Sequence, residues 1–209
     1  HYVLDLWFEK CIKKQLYGEA YLVRFADDFL IMFQYERDAQ RVYEAIIKRM
    51  ELFGLELSKE KTRILPFGRY SATRETFDFL GFTHFNSKTR KGYYNVGHKI
   101  SRKKKKQFKS NLKKWVKKNR NTQFDEFMKA LNKKLTGSFN YYSLSGMIRE
   151  VRNLWNHAQY VTFKWLNRRS QRRSFKLDRF YEIWNDRIIH PYIHVDIWSG
   201  DKVIYNKNV

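Results

Sequence analysis

The chain has 209 residues with 43 Lys and Arg against 21 Asp and Glu, a formal net charge of +22. This excess of positive charge argues against an ordinary neutral metabolic enzyme and indicates a polyanionic partner, either nucleic acid or an acidic membrane surface. Aromatic residues make up 18% of the chain, which excludes a disordered basic tail because such tails lack large apolar side chains.

The single cysteine, Cys11, excludes an intramolecular disulfide and a cysteine-rich zinc site, and it suits a reducing compartment. We expect it to be a small buried hydrophobic residue. The longest apolar run, residues 29–33, is much shorter than the roughly 18 residues that a membrane span needs. The sequence therefore predicts no membrane-spanning segment, and we expect no membrane among the partners.

The first half of the chain mixes helical and strand-like patterns. A helical pattern over 3–16 precedes two strand-like runs at 20–25 and 29–35, and the short separator predicts a hairpin with Asp27 and Asp28 at its tip. A helix is predicted over 37–53, with Gly54 ending it. The remaining patterns predict strands over 63–67 and 77–85 and a turn over 86–92.

The composition changes near His98. Residues 98–121 hold 12 Lys or Arg and no acid, with apolar residues on one helical stripe. Three more helical patterns follow, over 124–135, 144–166 and 177–188, and Pro191 ends the last one. We expect a helical bundle with Trp155 and Trp165 in its core.

The two aspartates are the first candidate site. Adjacent carboxylates where a hairpin turns suit hard divalent cations, which prefer oxygen ligands and bind phosphate together with carboxylate. An Asp-Asp pair by itself is weak evidence for a metal site, because two aspartates at a turn are more often part of a solvated turn.

Several sequence blocks occur in a characteristic order. The block Phe25-Ala26-Asp27-Asp28 between two hydrophobic strands resembles the Tyr-x-Asp-Asp box of reverse transcriptases. Residues 54–62 are similar to the next palm motif of group II intron reverse transcriptases, and residues 79–82 resemble the primer-grip block. Residues 135–142 and 163–175 are similar to the thumb, or maturase X domain, of bacterial group II intron-encoded proteins.

This resemblance covers essentially the whole chain and implies RNA-templated DNA synthesis together with assistance to intron splicing. It implies Mg²⁺ as cofactor, with Mn²⁺ as an alternative, and intron RNA template, DNA primer and dNTPs as partners. Asp27 would be a metal ligand, and Asp28 would be a supporting acid near the primer terminus that also belongs to the metal site. Lys61 would lie near the nucleotide phosphates. Lys59 competes for this role, and the alternative for Lys61 is a solvated loop lysine.

The resemblance also assigns a primer grip. Leu80, Gly81 and Phe82 would touch the primer backbone, where a glycine permits close approach. The alternative is that Gly81 only marks a strand kink or bulge.

The resemblance implies an α+β fold, with a partial polymerase palm made of an antiparallel hairpin and a helix, followed by an α-helical thumb bundle. The expected domains are 1–98 for the palm part, 99–190 for the thumb and 191–209 for a C-terminal extension. The family's palm begins with an earlier strand that carries another metal-binding aspartate, preceded by fingers, and nothing upstream of Asp27 here matches them. We therefore expect an N-terminal half as partner and no polymerisation by the isolated chain. The expected location is the bacterial cytoplasm near the nucleoid, with an organelle as alternative.

The basic residues form the second candidate site. Phosphate contacts release counterions and position a nucleic acid without reading its sequence. The predicted nucleic-acid-binding residues form a helical group and an arginine group: Arg102, Lys103, Lys104, Lys105, Lys106, Lys109, Lys113 and Lys117, then Arg168, Arg169, Arg172 and Arg173.

A different functional class also fits the sequence. The chain would then be a non-catalytic RNA-binding maturase module whose aspartates are structural. A related retroelement or defence reverse transcriptase is a further alternative.

Overall fold

The computed structural model describes residues 2–58, 60–71, 73–169, 174–193 and 195. It divides the chain into two compact units: unit 1, His1–Leu80 with His84–Gly97, and unit 2, Gly81–Thr83 with His98–Val209. Helices and antiparallel strands occupy largely separate stretches, which confirms the α+β class. Within the described ranges, no helix is long and apolar enough to span a bilayer. The domain boundaries at 98/99 and 190/191 stay predictions.

Unit 1 begins with the predicted helical segment. Its turns are unusually wide, with two π-helical stretches and one 3₁₀ turn: Tyr2–Leu6, Phe8–Ile12 and Lys13–Gln15. Leu4 and Phe8 are buried, and Ile12 is partly buried in the same core, so the buried face of this segment passes through positions 4, 8 and 12. Cys11 is exposed, and the prediction that it is buried is wrong.

The predicted hairpin is present. Strands β1 (Ala20–Phe25) and β2 (Asp28–Phe33) pair antiparallel, and the register ends with Phe25 opposite Asp28. Only residues 26–27 form the loop, so Asp28 opens β2 rather than lying in the separator as predicted. The two aspartates therefore occupy different local backbone environments.

Helix α1 (Glu36–Leu52) follows the hairpin and closes the small core of unit 1. Gly54 comes two residues after its end with a φ of +67°, a conformation that glycine adopts without steric cost. The buried apolar side chains come from the first helical segment, from β1 and from one face of α1: Leu4, Phe8, Ala20, Val42, Ile46 and Met50.

The strand predictions after α1 are partly wrong. Residues 63–67 form no strand, and the strand predicted over 77–85 is two strands, β3 (Thr76–Phe79) and β4 (Phe82–Lys88). The turn between them contains no polar residue, which is why the sequence pattern reads as continuous. A third strand, β5 (Tyr94–Ile100), completes the order β3-β4-β5 and was not predicted, because its polar residues run directly into the basic stretch.

The described part of unit 2 forms a bundle of four helices, as predicted: α2 (Arg102–Asn119), α3 (Phe124–Tyr142), α4 (Ile148–Leu166) and α5 (Leu177–Arg187). Their apolar stripes meet in one core that includes Phe127, Phe180 and Trp184. Trp155 is buried there, and its indole N–H donates to the carbonyl of Ile189 at 3.0 Å, as expected for a core tryptophan. Trp165 is only partly buried, so its predicted core position holds in part.

Candidate active site and nucleic-acid interface

The Asp27–Asp28 pair lies at the tip of the β1–β2 hairpin, and both residues are exposed. Ala26, the first loop residue, has a φ of +51°. Two-residue hairpin loops normally place glycine in such a conformation. A residue with a Cβ is strained there by roughly 1 kcal/mol. The surrounding contacts must therefore hold the backbone in this turn.

Arg24 supplies those contacts. Its Nε and Nη2 donate to Oδ1 and Oδ2 of Asp5 at 2.6 and 2.7 Å, and its Nη1 donates to the carbonyl of Ala26 at 2.9 Å. The Arg24 hydrogen bonds lower the pKa of the Asp5 carboxyl and in turn raise the pKa of the guanidinium. A bidentate arginine thus ties the loop carbonyl next to Asp27 to the first helical segment.

Sequence reasoning missed this role of Asp5. The residue lies in a helical pattern 19 positions before Arg24, and no local signal pairs the two.

The donor chemistry at the hairpin tip fits the implied Mg²⁺. Asp27 and Asp28 provide two hard oxygen donors, and Mg²⁺ is typically held by one or two carboxylates together with substrate phosphates and water. Among the described residues there is no group of three or more metal-ligating side chains. A cation bound at the hairpin tip would have the Asp27 and Asp28 carboxylates as its ligands from this hairpin.

Lys61 lies on a separate turn after α1. Its backbone N–H and that of Thr62 both donate to the carbonyl of Ser58, at 3.0 and 2.9 Å, and its side chain is exposed. The turn thus presents Lys61 to solvent in a defined backbone conformation. The competing Lys59 lies outside the described residues.

The predicted primer-grip residues form the tight turn between β3 and β4. Leu80 and Gly81 have φ values of +49° and +82°, the pattern of a two-residue type I′ loop. The carbonyl of Gly81 accepts a hydrogen bond from the amide of Ser101 at 2.9 Å. Ser101 also caps α2, since its Oγ accepts from the Lys104 amide at 3.3 Å. The grip turn and the start of the basic helix are therefore directly linked.

Aromatic contacts attach the same turn to the end of α3. The Phe82 ring lies 5.6 Å from both the Tyr141 and Tyr142 rings, stacked on the first and edge-on to the second. Burial raises the pKa of the Tyr142 hydroxyl, with a smaller effect from Tyr141, whereas Tyr141 is 52% exposed. The sequence pattern gave no indication that these tyrosines contact the grip.

The basic residues of α2 surround an apolar stripe formed by Leu112 and Val116. Lys105 differs from its neighbours because its Nζ lies 2.6 Å from Oε2 of Glu150 on α4, so its charge is partly compensated. The other predicted residues on this helix are all exposed: Arg102, Lys103, Lys104, Lys106, Lys109, Lys113 and Lys117.

The predicted arginine group is described only in part, because Arg172 and Arg173 lie outside the described residues. Arg169 donates through Nε to the carbonyl of Leu166 at 3.2 Å and so caps α4. The Arg168 guanidinium and the Lys117 ammonium both lie over the ring of Trp165. The structure thus brings the two predicted basic groups together at one tryptophan.

Two family models match the chain. The reverse transcriptase (RNA-dependent DNA polymerase) model matches residues 2–84, which include the hairpin with both aspartates. The group II intron maturase-specific domain model matches residues 105–182, the greater part of the helical unit. The comparison with curated proteins returns no match. The reverse transcriptase match precedes the maturase-specific match along the chain, and together the two matches support a group II intron reverse transcriptase/maturase.

Proposed function

We propose that the chain takes part in RNA-directed DNA synthesis, transferring nucleotides from dNTPs to a DNA primer on an RNA template. The observation that carries the proposal is the exposed Asp27–Asp28 pair on a hairpin whose strained loop is held by Arg24. Strain retained at a carboxylate-bearing turn is typical of a functional site, because folding alone favours glycine at that position.

Each predicted site residue has a proposed role in this reaction. Asp27 binds a divalent cation and Asp28 supports it, while Lys61 neutralises charge on the nucleotide phosphates. The bound cations supply activation of the primer 3′-oxygen and stabilisation of the leaving group. Leu80, Gly81 and Phe82 hold the primer backbone. A further carboxylate comes from the early palm of the partner N-terminal half.

We also propose that unit 2 binds intron RNA and assists splicing. Its support is the match to the maturase-specific domain together with the exposed cations of α2. Contacts of this kind are steeply salt-dependent.

The catalytic proposal is tested with an Asp27→Asn variant in a primer-extension assay, using the chain combined with fingers and early palm and Mg²⁺ as the metal. We expect at least about a thousandfold loss of rate, because several kcal/mol of charge stabilisation depend on the metal. Asp186→Asn, an exposed aspartate on α5, is the matched control and retains activity. Extension that survives Asp27→Asn would refute the assignment.

A second candidate is a purely RNA-binding maturase module, favoured by the separate core of the helical unit. The two functions separate in a splicing assay. If Asp27→Asn abolishes extension but leaves splicing support unchanged, unit 2 acts as an RNA-binding module in an active polymerase. If neither activity depends on Asp27, the aspartates are structural and the module alone is the function.

A further inference from the structure

We propose that Trp165 and three cations around it form a binding site for the phosphodiester backbone of RNA. The cations are Lys117, Arg120 and Arg168. This inference rests on the proposed RNA-binding function of the helical unit and assigns it to particular side chains.

The geometry brings together two helix ends. Lys117 lies in the last turn of α2, and Arg120 follows directly after that helix. Trp165 lies in the last turn of α4, and Arg168 follows that helix. The distances from the Trp165 ring centroid are 5.5 Å to Lys117 Nζ, 5.5 Å to the Arg120 Cζ and 5.6 Å to the Arg168 Cζ.

The tryptophan is a fixed platform. Trp165 packs against the core of unit 2 and is partly buried, while Lys117 and Arg168 are exposed and Arg120 is intermediate. The cations gain from the ring electrons, by about 0.5–1 kcal/mol each at an exposed site, and from the negative ends of the two helix dipoles. These two effects explain how three like charges are held near one ring.

The three charges nevertheless repel one another and lack an acidic partner. Within the described ranges, none of the three forms an ion pair with a carboxylate. Cations elsewhere in the same unit do, for example Lys105 with Glu150. A bound anion would therefore relieve repulsion at this site that the described residues leave uncompensated.

The side-chain chemistry favours phosphate. Guanidinium groups present planar forks that match phosphate oxygens. The indole N–H of Trp165 donates no hydrogen bond to the described residues, unlike that of Trp155, so it is available as a further donor. Lys113 lies one turn before Lys117 on α2 and is exposed, so further phosphates of the same strand meet cations along the helix.

The test is the binding of a fluorescein-labelled RNA hairpin by the full chain, followed by anisotropy between about 50 and 200 mM KCl. The variant carries Arg120→Gln and Arg168→Gln. We expect affinity to fall about tenfold or more, and the slope of log K against log salt to become shallower by about 0.7–0.9 for each phosphate that the variant no longer neutralises. The matched control carries Arg149→Gln and Arg179→Gln, two exposed arginines of the same unit, and changes affinity less than about twofold.

A second measurement reports the tryptophan itself. RNA binding should change the tryptophan fluorescence of the wild-type chain. We expect this change to be smaller in Trp165→Phe, which lacks the contribution of Trp165, and we expect Trp155→Phe to retain that contribution. The arginine variant alters only side chains at or near the surface, so it tests the site even if a tryptophan variant folds poorly.

The outcomes distinguish this site from the broader proposal. If wild-type chain binds RNA with steep salt dependence and the arginine variant binds equally well with the same slope, this site is refuted and the RNA-binding function stands. If polyglutamate of the same charge displaces RNA as effectively as unlabelled RNA does, the site is a general anion site and the proposal is also refuted. Absence of RNA binding by the wild-type chain would refute the RNA-binding function together with the site.

Discussion

The grip turn permits a quantitative test of why residue 81 is a glycine. At its φ of +82°, an L-residue with a Cβ costs roughly 1–2 kcal/mol, offset by about 0.4–1 kcal/mol because alanine restricts the unfolded chain. A Cβ at this position would lie 3.5 Å from Lys104 Cγ and 3.7 Å from the Tyr142 hydroxyl, which are ordinary contact distances. No steric clash adds to this balance, so strain less the entropic offset determines the effect, and Gly81→Ala should destabilise the turn by about 1 kcal/mol.

Hydrogen exchange at one amide measures this effect locally. The Ser101 N–H donates to the Gly81 carbonyl, so opening of the turn exposes that amide. A loss of about 1 kcal/mol corresponds to roughly fivefold faster exchange at Ser101.

A matched control separates strain from position. Gly92 has a φ of +83° in the turn between β4 and β5, and a Cβ there would meet nothing within 4 Å. Gly92→Ala should speed exchange of the Thr89 amide, which donates to Tyr93 across that turn, and leave Ser101 unchanged. If Gly81→Ala leaves Ser101 exchange at the wild-type rate, the turn is not held in the left-handed conformation and the reasoning fails.

Two further predictions concern stability. Asp38 on α1 is 1% exposed and its Oδ2 accepts from the amides of Tyr17 and Gly18 at 3.0 and 3.1 Å, so Asp38→Ala should cost about 2–4 kcal/mol in thermal unfolding. Asp38→Asn keeps an acceptor and should cost less; equal losses in the two variants would argue against the hydrogen bonds as the cause. Burial, and to a smaller extent Lys109, lowers the pKa of His157 below 6.5. The unfolded chain therefore binds the proton at a higher pH than the folded chain does. The free energy of unfolding should fall as the pH drops from about 6.5 through the folded-state pKa. The melting temperature of His157→Gln should depend less on pH over this range, and an unchanged pH profile would contradict the assignment.

The hairpin and the helical bundle were predictable because their signals are local. Alternating apolar residues on either side of a two-residue loop specify β1 and β2, and apolar spacing of three and four residues specifies α2 to α5. The β3–β4 turn was missed because Leu80 adopts a left-handed conformation, which leucine rarely adopts and which the sequence therefore does not predict. That conformation is held by contacts of the folded chain rather than by local preference.

The functional residues divide in the same way. The sequence alone determined the order of the reverse transcriptase and maturase blocks, the position of Asp27 and Asp28, and the concentration of positive charge in α2, because each is a property of a continuous stretch of chain. Only the tertiary structure decided that Arg24 links the aspartate loop to Asp5, that the grip turn bonds to the cap of α2, and that the two basic groups meet at Trp165. These contacts join residues far apart in the chain, so they depend on how the helices and strands pack and leave no periodic signal in the sequence.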